Sequence, residues 1–315
     1  MRFLVTGAMG YIGSHMCVEL RKAYPDCEII GTDMKYEPEF NHVMDKFVLT
    51  NLADNIIYHT DIDAVFHFAA FANVPAGEKN PYEYYHNNIN STMHVMRFVR
   101  QAVPYIIHSS TCAVYGTPDY VPVDEKHPLR PESVYASSKV MCEKIVQDMA
   151  GDSKYAILRY FNVAGRNRQA GLYEKHDPET HLIPLLMQNR EIDIYGTDYN
   201  TSDGTAIRDY IHIIDLCQAH IQAFEYLREK NRNLICNLGT GRGCSVREVI
   251  DIVESVIEID IKRNEKPRRQ GDLAAIYANT YRMKEWLHFT PKYDMLDIID
   301  SMNEPISEEM RMEDA

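Results

Sequence analysis

The chain has 315 residues, 45% apolar and 25% charged, an ordinary globular composition with room for one large domain or two of moderate size. A formal charge of −13 argues against a general nucleic-acid or anionic-membrane binder, since both attract basic surfaces. The seven cysteines are an odd number without a CxxC pair, so neither a disulfide framework nor a metal site is signalled. A reducing, cytoplasmic setting is therefore expected. No long apolar run appears and the chain opens directly on a strand pattern, so neither a membrane span nor a signal peptide is expected.

The first apolar run, 2–6, leads into TGAMGYIGSH, residues 6–15, and then into a helical pattern over 11–24. Gly7, Gly10 and Gly13 recur at three-residue spacing between strand and helix. In a βαβ unit the first allows a tight turn, the second lets a pyrophosphate approach, and the third lets the helix pack on the strand. The helix N-terminus then offers N–H groups to the phosphates. A second strand pattern, 28–32, ends at Asp33, 20 residues beyond Gly13. A carboxylate there accepts from ribose hydroxyls and repels a 2′-phosphate, which favours NAD over NADP.

Further apolar runs at 46–49, 64–68, 105–109 and 154–160 predict strands, and 52–59, 82–102 and 134–149 are compatible with helices. The stretch 34–45 lacks a period, contains Pro38 and reads as a loop. Strand–helix alternation of this kind predicts an α/β fold, a Rossmann-type doubly wound parallel sheet. Beyond 166 the pattern turns polar and irregular. A helix follows at 182–189, then a turn-rich stretch 195–205 and helices at 213–229, 245–257 and 294–303. The run 234–238 reads as a strand returning to the first sheet, and the acidic tail 307–315 as a fraying end. The expected layout is a dinucleotide-binding domain over 1–165 and a smaller, mainly substrate-binding lobe over 166–315.

Tyr135 and Lys139 stand four residues apart, on one face of the 134–149 helix. A phenol near pKa 10 is a poor base until a cation stabilises its phenolate. Thr111 lies at the C-terminal end of the 105–109 strand, where open α/β sheets bind ligands, and could bond the hydroxyl that Tyr135 deprotonates. Taken singly, a surface tyrosine–lysine pair and ordinary turn hydroxyls remain equally open readings.

Taken together, the GxxGxxG turn, Thr111, Tyr135 and Lys139 resemble the extended short-chain dehydrogenase/reductase superfamily. The stretches VFHFAAFANV, SSTCAVYG, SVYASSK, LRYFNVAG, DGTAIRDYIHIIDL, CNLGTG and RRQGDLAAIYAN resemble its UDP-glucose 4-epimerase family over nearly the whole chain. The resemblance implies a homodimeric enzyme with retained NAD that epimerises UDP-sugars by transient oxidation at sugar carbon 4. It implies catalysis by Tyr135, Lys139 and Thr111, with Lys139 also on the nicotinamide ribose. Tyr11 and Ile12 join the glycines at the cofactor, and Asn51 and Leu52 stand at the adenine. Asn162 would contact substrate, His181 and Leu182 would lie over it, and Tyr195 would help hold the uracil. Arg208 and Arg269 would clamp the diphosphate, Asp272 would accept from the uridine ribose, and Ile276 would limit the sugar pocket and so decide whether an N-acetyl group enters. Without the resemblance both arginines would read as surface residues.

Cys112 and Ala113 stand where related dehydratases carry an acidic pair, which disfavours elimination. Asn51 replaces the usual aspartate, Ala72 stands where some members have lysine, and 34–45 is shorter than in relatives. The competing readings are a UDP-glucuronate 4-epimerase or decarboxylase, and a catalytically idle NAD-binding regulator.

Overall fold

The computed structural model describes residues 1–56, 61–174, 179–269 and 271–303. In chain order the first strands are β1 (Arg2–Thr6), β2 (Glu28–Asp33), β3 (Lys46–Leu49), β4 (Ala64–His67), β5 (Tyr105–Thr111) and β6 (Lys154–Tyr160). Together with a later strand, Leu234–Leu238, they make a seven-stranded sheet. Every neighbouring pair in it runs parallel. The helices between them are α1 (Tyr11–Ala23), α2 (Val74–Lys79), α3 (Pro81–Ala102) and α4 (Val134–Met149).

Alternation along these strands supplies both faces of the sheet. Phe3, Val5, Phe66, Ile107 and Leu158 join one core, while Leu4, Val65, Ile106 and Ile157 join the other. Side chains two apart share a face, so continuously apolar strands suit a sheet covered on both sides. The first core also takes up α1 through Met16, Cys17 and Leu20; the second takes up α3 through Val95, Met96 and Val99, and α4 through Val146. From β1 the chain runs outward through β2 and β3, then returns to β4, beside β1, and proceeds the other way. That reversal opens a crevice at the carboxyl ends of β1 and β4, where ligands of open α/β sheets bind.

The remaining strands are β7 (Asn162–Ala164), β8 (Glu191–Tyr195), β9 (Ile207–His212), β10 (Leu234–Leu238), β11 (Gly243–Ser245), β12 (Lys262–Lys266) and β13 (Ala275–Ile276). β10 is the edge strand of the large sheet, against β6; β7, β11 and β13 assemble around β9, and β8 pairs with β12. The helices α5 (Leu182–Gln188), α6 (Ile213–Lys230), α7 (Val246–Ile257), α8 (Tyr281–Glu285) and α9 (Met295–Met302) complete the chain. α6 packs on the first core through Leu216, Phe224 and Leu227. α5, α7 and α9 enclose a separate core with Ile183, Val253 and Ile299.

Differences from the sequence-based expectation have local causes. Within 34–45 a 3-10 helix forms at Pro38–Val43, with proline in its first turn and Phe40 buried. Residues 52–54 form a turn, and 57–59 of the expected 52–59 helix lie outside the described residues, as does the 307–315 tail. α2 is an added helix, started by Pro75 and by Asn73, whose side chain accepts from the Ala76 N–H at 2.9 Å. The strands β7, β8, β9, β11 and β12 carry no continuous apolar run, and β13 is only two residues long.

Candidate active site

The glycine turn is built by contact with other backbone. Gly7 has φ +69°, and a Cβ on it would lie 2.9 Å from the Ala69 nitrogen. A Cβ on Gly13 would stand 2.1 Å from the Gly7 carbonyl oxygen, and one on Gly10 3.3 Å from it. The turn therefore admits no side chain where strand, helix and the post-β4 segment converge. Gly10 caps α1 without a side-chain bond and no acid stands in the first turn, so the positive end of the helix carries no anion of its own. Asp33, at the end of β2, closes this edge: its carboxylate accepts from the Met9 N–H at 3.0 Å and the Lys35 N–H at 3.2 Å. Burial raises its pKa and the backbone donors oppose the rise. A bare helix end, a turn with glycine at its close contacts and a carboxylate at the next strand tip together fit a dinucleotide.

Tyr11 donates its hydroxyl to the Gly165 carbonyl, and Ile12 packs on the core beneath α1. Leu52 is buried in the second core. Asn51 turns its amide oxygen to the Ala53 N–H at 3.0 Å and lines a cavity of about 190 Å³ with Met34, Phe71, Tyr82 and His86.

Thr111 ends β5 and Tyr135 sits in the first turn of α4, started by the Ser133 side chain accepting from the Ala136 N–H. The two side chains are neighbours at the sheet's carboxyl edge, close enough for Thr111 to act on the phenol. Burial pushes the Tyr135 phenol well above its ordinary pKa, and Thr111 is what lowers it. Lys139 lies buried one turn along, and its ammonium donates to the Ser109 carbonyl at 2.8 Å. Burial lowers its pKa, while Cys142 and Glu143 oppose. Thr111 thus eases the burial of the phenol, and the ammonium is bonded to the backbone of the strand that bears Thr111.

A second group gathers around β9. Arg208 donates to the Leu273 carbonyl at 2.8 Å, which ties it to the segment bearing Arg269 and Asp272. Arg269 bonds Asp272 at 2.9 Å and its guanidinium lies 4.7 Å over the Tyr195 ring. Ile276 is paired with Arg208 across β13 and β9 and is buried with Tyr115 and Phe161, Cys112 packing against the same cluster. Cys112, next to Thr111, packs on the cluster of Ile276, the register partner of Arg208, so the two groups share one wall. Asn162, on β7, stands opposite Tyr210 of β9 in register. His181 caps α5 ahead of Leu182 and sits 2.5 Å from Glu174, which raises its pKa.

The structure also assembles residues that sequence reasoning passed over. Buried Asp209 accepts from Thr240 N–H and hydroxyl, Gly241 N–H and Ala278 N–H, stitching β9 to the β10 loop and to the strand end beyond Ile276. Glu143, Arg159 and Ser110 form a buried cluster under Thr111 and Lys139. The available signal was that Glu143 falls one turn after Lys139 on the same helix face. Among the described residues no group of three or more His, Cys, Asp or Glu is arranged to hold a metal.

An open parallel sheet with a glycine turn at its switch point and a Thr–Tyr–Lys set across the crevice defines the class. Residues 3–239 match the NAD dependent epimerase/dehydratase family, and the chain belongs to it. Within that family it is 37% identical to the UDP-glucose 4-epimerase of Lactobacillus helveticus over 310 residues, 94% of each chain. It superimposes on the UDP-glucose 4-epimerase of Stenotrophomonas maltophila, solved with NAD and formylated UDP-arabinopyranose, with a TM-score of 0.89, 30% identity and complete coverage of both chains. Against the UDP-Glc/GlcNAc 4-epimerase of Campylobacter jejuni the TM-score is 0.80, with 34% identity over 95% of this chain and 97% of that one.

Proposed function

We propose that this chain is an NAD-dependent 4-epimerase interconverting UDP-glucose and UDP-galactose. The observation that carries the reading is the wall shared by the Thr111–Tyr135 pair and the Arg208–Arg269 segment, beside the glycine turn. Gly7, Gly10, Tyr11, Ile12, Gly13 and Asp33 hold the cofactor's pyrophosphate and ribose, Asn51 and Leu52 its adenine end, and Lys139 the nicotinamide ribose. NAD, when bound, supplies the acceptor and then the donor of the hydride at sugar carbon 4.

Tyr135 Oη takes the proton of the sugar 4-hydroxyl and later gives it back, while Thr111 Oγ1 holds the same hydroxyl in line. The Lys139 ammonium favours the phenolate. Arg208 and Arg269 hold the diphosphate, a dianion that an acidic protein binds only through dedicated guanidinium donors. Asp272 accepts from the uridine ribose, and Tyr195 supports the uracil. Asn162 contacts the sugar, and His181 and Leu182 lie over it. The anchored nucleotide would leave the sugar free to present its other face to Tyr135 and Thr111. Cys112 and Ala113 offer no carboxylate for elimination.

Ile276 limits the sugar pocket, so UDP-GlcNAc is the second substrate to assay. The protein works as a cytoplasmic homodimer, with 1–165 and the returning β10 serving the cofactor and 166–315 mainly the UDP-sugar. Incubation of purified protein with UDP-galactose, products resolved by chromatography, tests the reading. UDP-glucose formation without added NAD supports it. No conversion even with NAD added overturns the substrate and turns the search to uronic-acid sugar nucleotides.

A further inference from the structure

We infer that the buried Glu143–Arg159 ion pair is a positioning device for the Thr111–Tyr135–Lys139 set, an inference that rests on the roles proposed above for those three residues.

The side chains of Arg159 and Glu143 are only 4% and 1% exposed. Glu143 Oε1 accepts from Arg159 Nε at 2.9 Å and from the Ser110 hydroxyl at 2.5 Å, and Oε2 accepts from the second guanidinium arm at 2.6 Å. Ser110 is the residue before Thr111 and is the register partner of Arg159 across β5 and β6. The last arm of Arg159 donates to the Tyr115 hydroxyl at 3.2 Å, which donates to Asn237 Oδ1 at 2.6 Å. One carboxylate therefore ties the helix bearing Tyr135 and Lys139 to the strand bearing Thr111, and a chain of bonds carries that tie across β6 to β10.

Glu143 follows Lys139 by one helical turn and Tyr135 by two, so all three lie on one stripe of α4. Rotation or sliding of the helix that displaced the phenol from Thr111 would break the fork at Glu143. Stability alone is a weak reason for such a pair, because well-packed apolar residues often serve a core equally well. What apolar packing does not supply is a single rotational setting.

The same carboxylate, one turn along α4, also acts on the Lys139 ammonium through its charge. Around that ammonium stand Cys142 and Glu143 on its own helix, His67 of β4, His108 of β5 and the Ser109 carbonyl. Both imidazoles are buried and held neutral, with pKa values driven far below the ordinary range. Burial lowers the Lys139 pKa, and Cys142 and then Glu143 oppose that fall, Glu143 as the carboxylate among its neighbours.

The test uses the full chain loaded with NAD, as Glu143→Gln and as the double variant Glu143→Met/Arg159→Met, which leaves no unpaired buried charge. Expected are a kcat for UDP-galactose lower by about ten- to hundred-fold, from misplacement of the reacting groups, and a KM within about twofold, because the diphosphate clamp is elsewhere. The alkaline limb of the pH profile should fall by about one pH unit. Titration of the Lys139 Cε resonance by NMR, assigned with Lys139→Met, should show the same fall without any turnover. Should the parent chain fail to convert UDP-galactose, the functional reading fails, while the Lys139 titration still decides this inference. If Glu143→Gln does not fold, the double variant decides. A folded double variant with kcat, alkaline limb and Lys139 midpoint unchanged would mean the pair is packing alone.

Discussion

The Thr111 side chain stands beside the Tyr135 phenol where β5 meets α4, and it opposes the rise that burial gives the phenol's pKa. Its removal has a defined sign. Thr111→Val leaves burial in place and withdraws the donor, so the phenol pKa rises further and the acid limb of kcat moves to higher pH. Tyr135→Phe lowers kcat by about 10²–10⁴-fold, the usual span for loss of a general acid–base group, with NAD still bound. Activity profiles of both variants check this; a Tyr135→Phe chain with most of its activity would remove Tyr135 as the base.

Gly13→Ala places a methyl 2.1 Å from the Gly7 carbonyl oxygen, backbone against backbone, with no flexible side chain to yield. The turn must shift, at a cost of about 1–3 kcal/mol or more. A lower melting temperature together with weakened NAD binding is expected from calorimetry. Equal stability and unchanged NAD affinity would show that the turn is looser than its contacts imply.

Asp33 combines a raised pKa with a place at the tip of β2, where the proposed reading puts the cofactor's ribose. A carboxyl raised above its unfolded value is held in the folded state at some expense once ionised, an expense absent below the unfolded pKa and growing as pH rises through the folded one. Asp33→Asn should therefore leave the ligand-free protein as stable or more so at neutral pH. NAD affinity should fall and the preference over NADP narrow. Titrations with both dinucleotides read this directly, and an unaltered preference would sever Asp33 from cofactor choice.

Acid sensitivity follows from the buried histidines. His15, His212 and His220 have pKa values lowered to about 4 from 6.5, and His67 to about 3, all through burial; His108 lies well below the ordinary value. The unfolded chain binds these protons near pH 6.5 and the folded chain does not, so stability is fully present above that value. It is lost as pH falls from 6.5 toward 4, at up to about 1.4 kcal/mol per pH unit for each histidine. Denaturant melts at stepped pH should steepen below 6.5. A flat profile down to pH 5 would contradict neutral burial.

Ile276 shares its cluster with Val114, Tyr115, Val123 and Phe161, beside Cys112 and Thr111. Ile276→Val removes one methylene at a cost of about 0.5–1.5 kcal/mol and widens that wall. The ratio of UDP-GlcNAc to UDP-glucose conversion should rise, and a ratio unmoved by the substitution would place the size limit elsewhere.

Much of the large sheet was legible because each of its strands repeats a local rule. Phe3-Leu4-Val5 and Ala64-Val65-Phe66 are apolar on both faces because both faces are covered. β8 and β12 failed that rule for a physical reason. They pair only with each other, stay largely exposed and are laced by Lys262–Glu191 and Asn264–Asp193 contacts, so Lys262–Lys266 reads as a solvated stretch. The Thr–Tyr–Lys set was legible through spacing combined with resemblance; the partner of Lys139 was not, since Ser109 reaches it from a strand 30 residues earlier.

The sequence by itself determined where the backbone needs glycine, which strands are doubly covered, and that Tyr135 and Lys139 share a helix face. Those are properties of φ, of side-chain period and of helical pitch, all written within a few residues. Only the tertiary structure decided that Ser110, Glu143 and Arg159 meet, that Arg208 reaches the Leu273 carbonyl, and that Asp209 gathers donors from two distant loops. Strand order and register set those meetings, because they bring residues far apart in the chain to hydrogen-bonding distance, and local pattern carries no record of which strand will lie beside which.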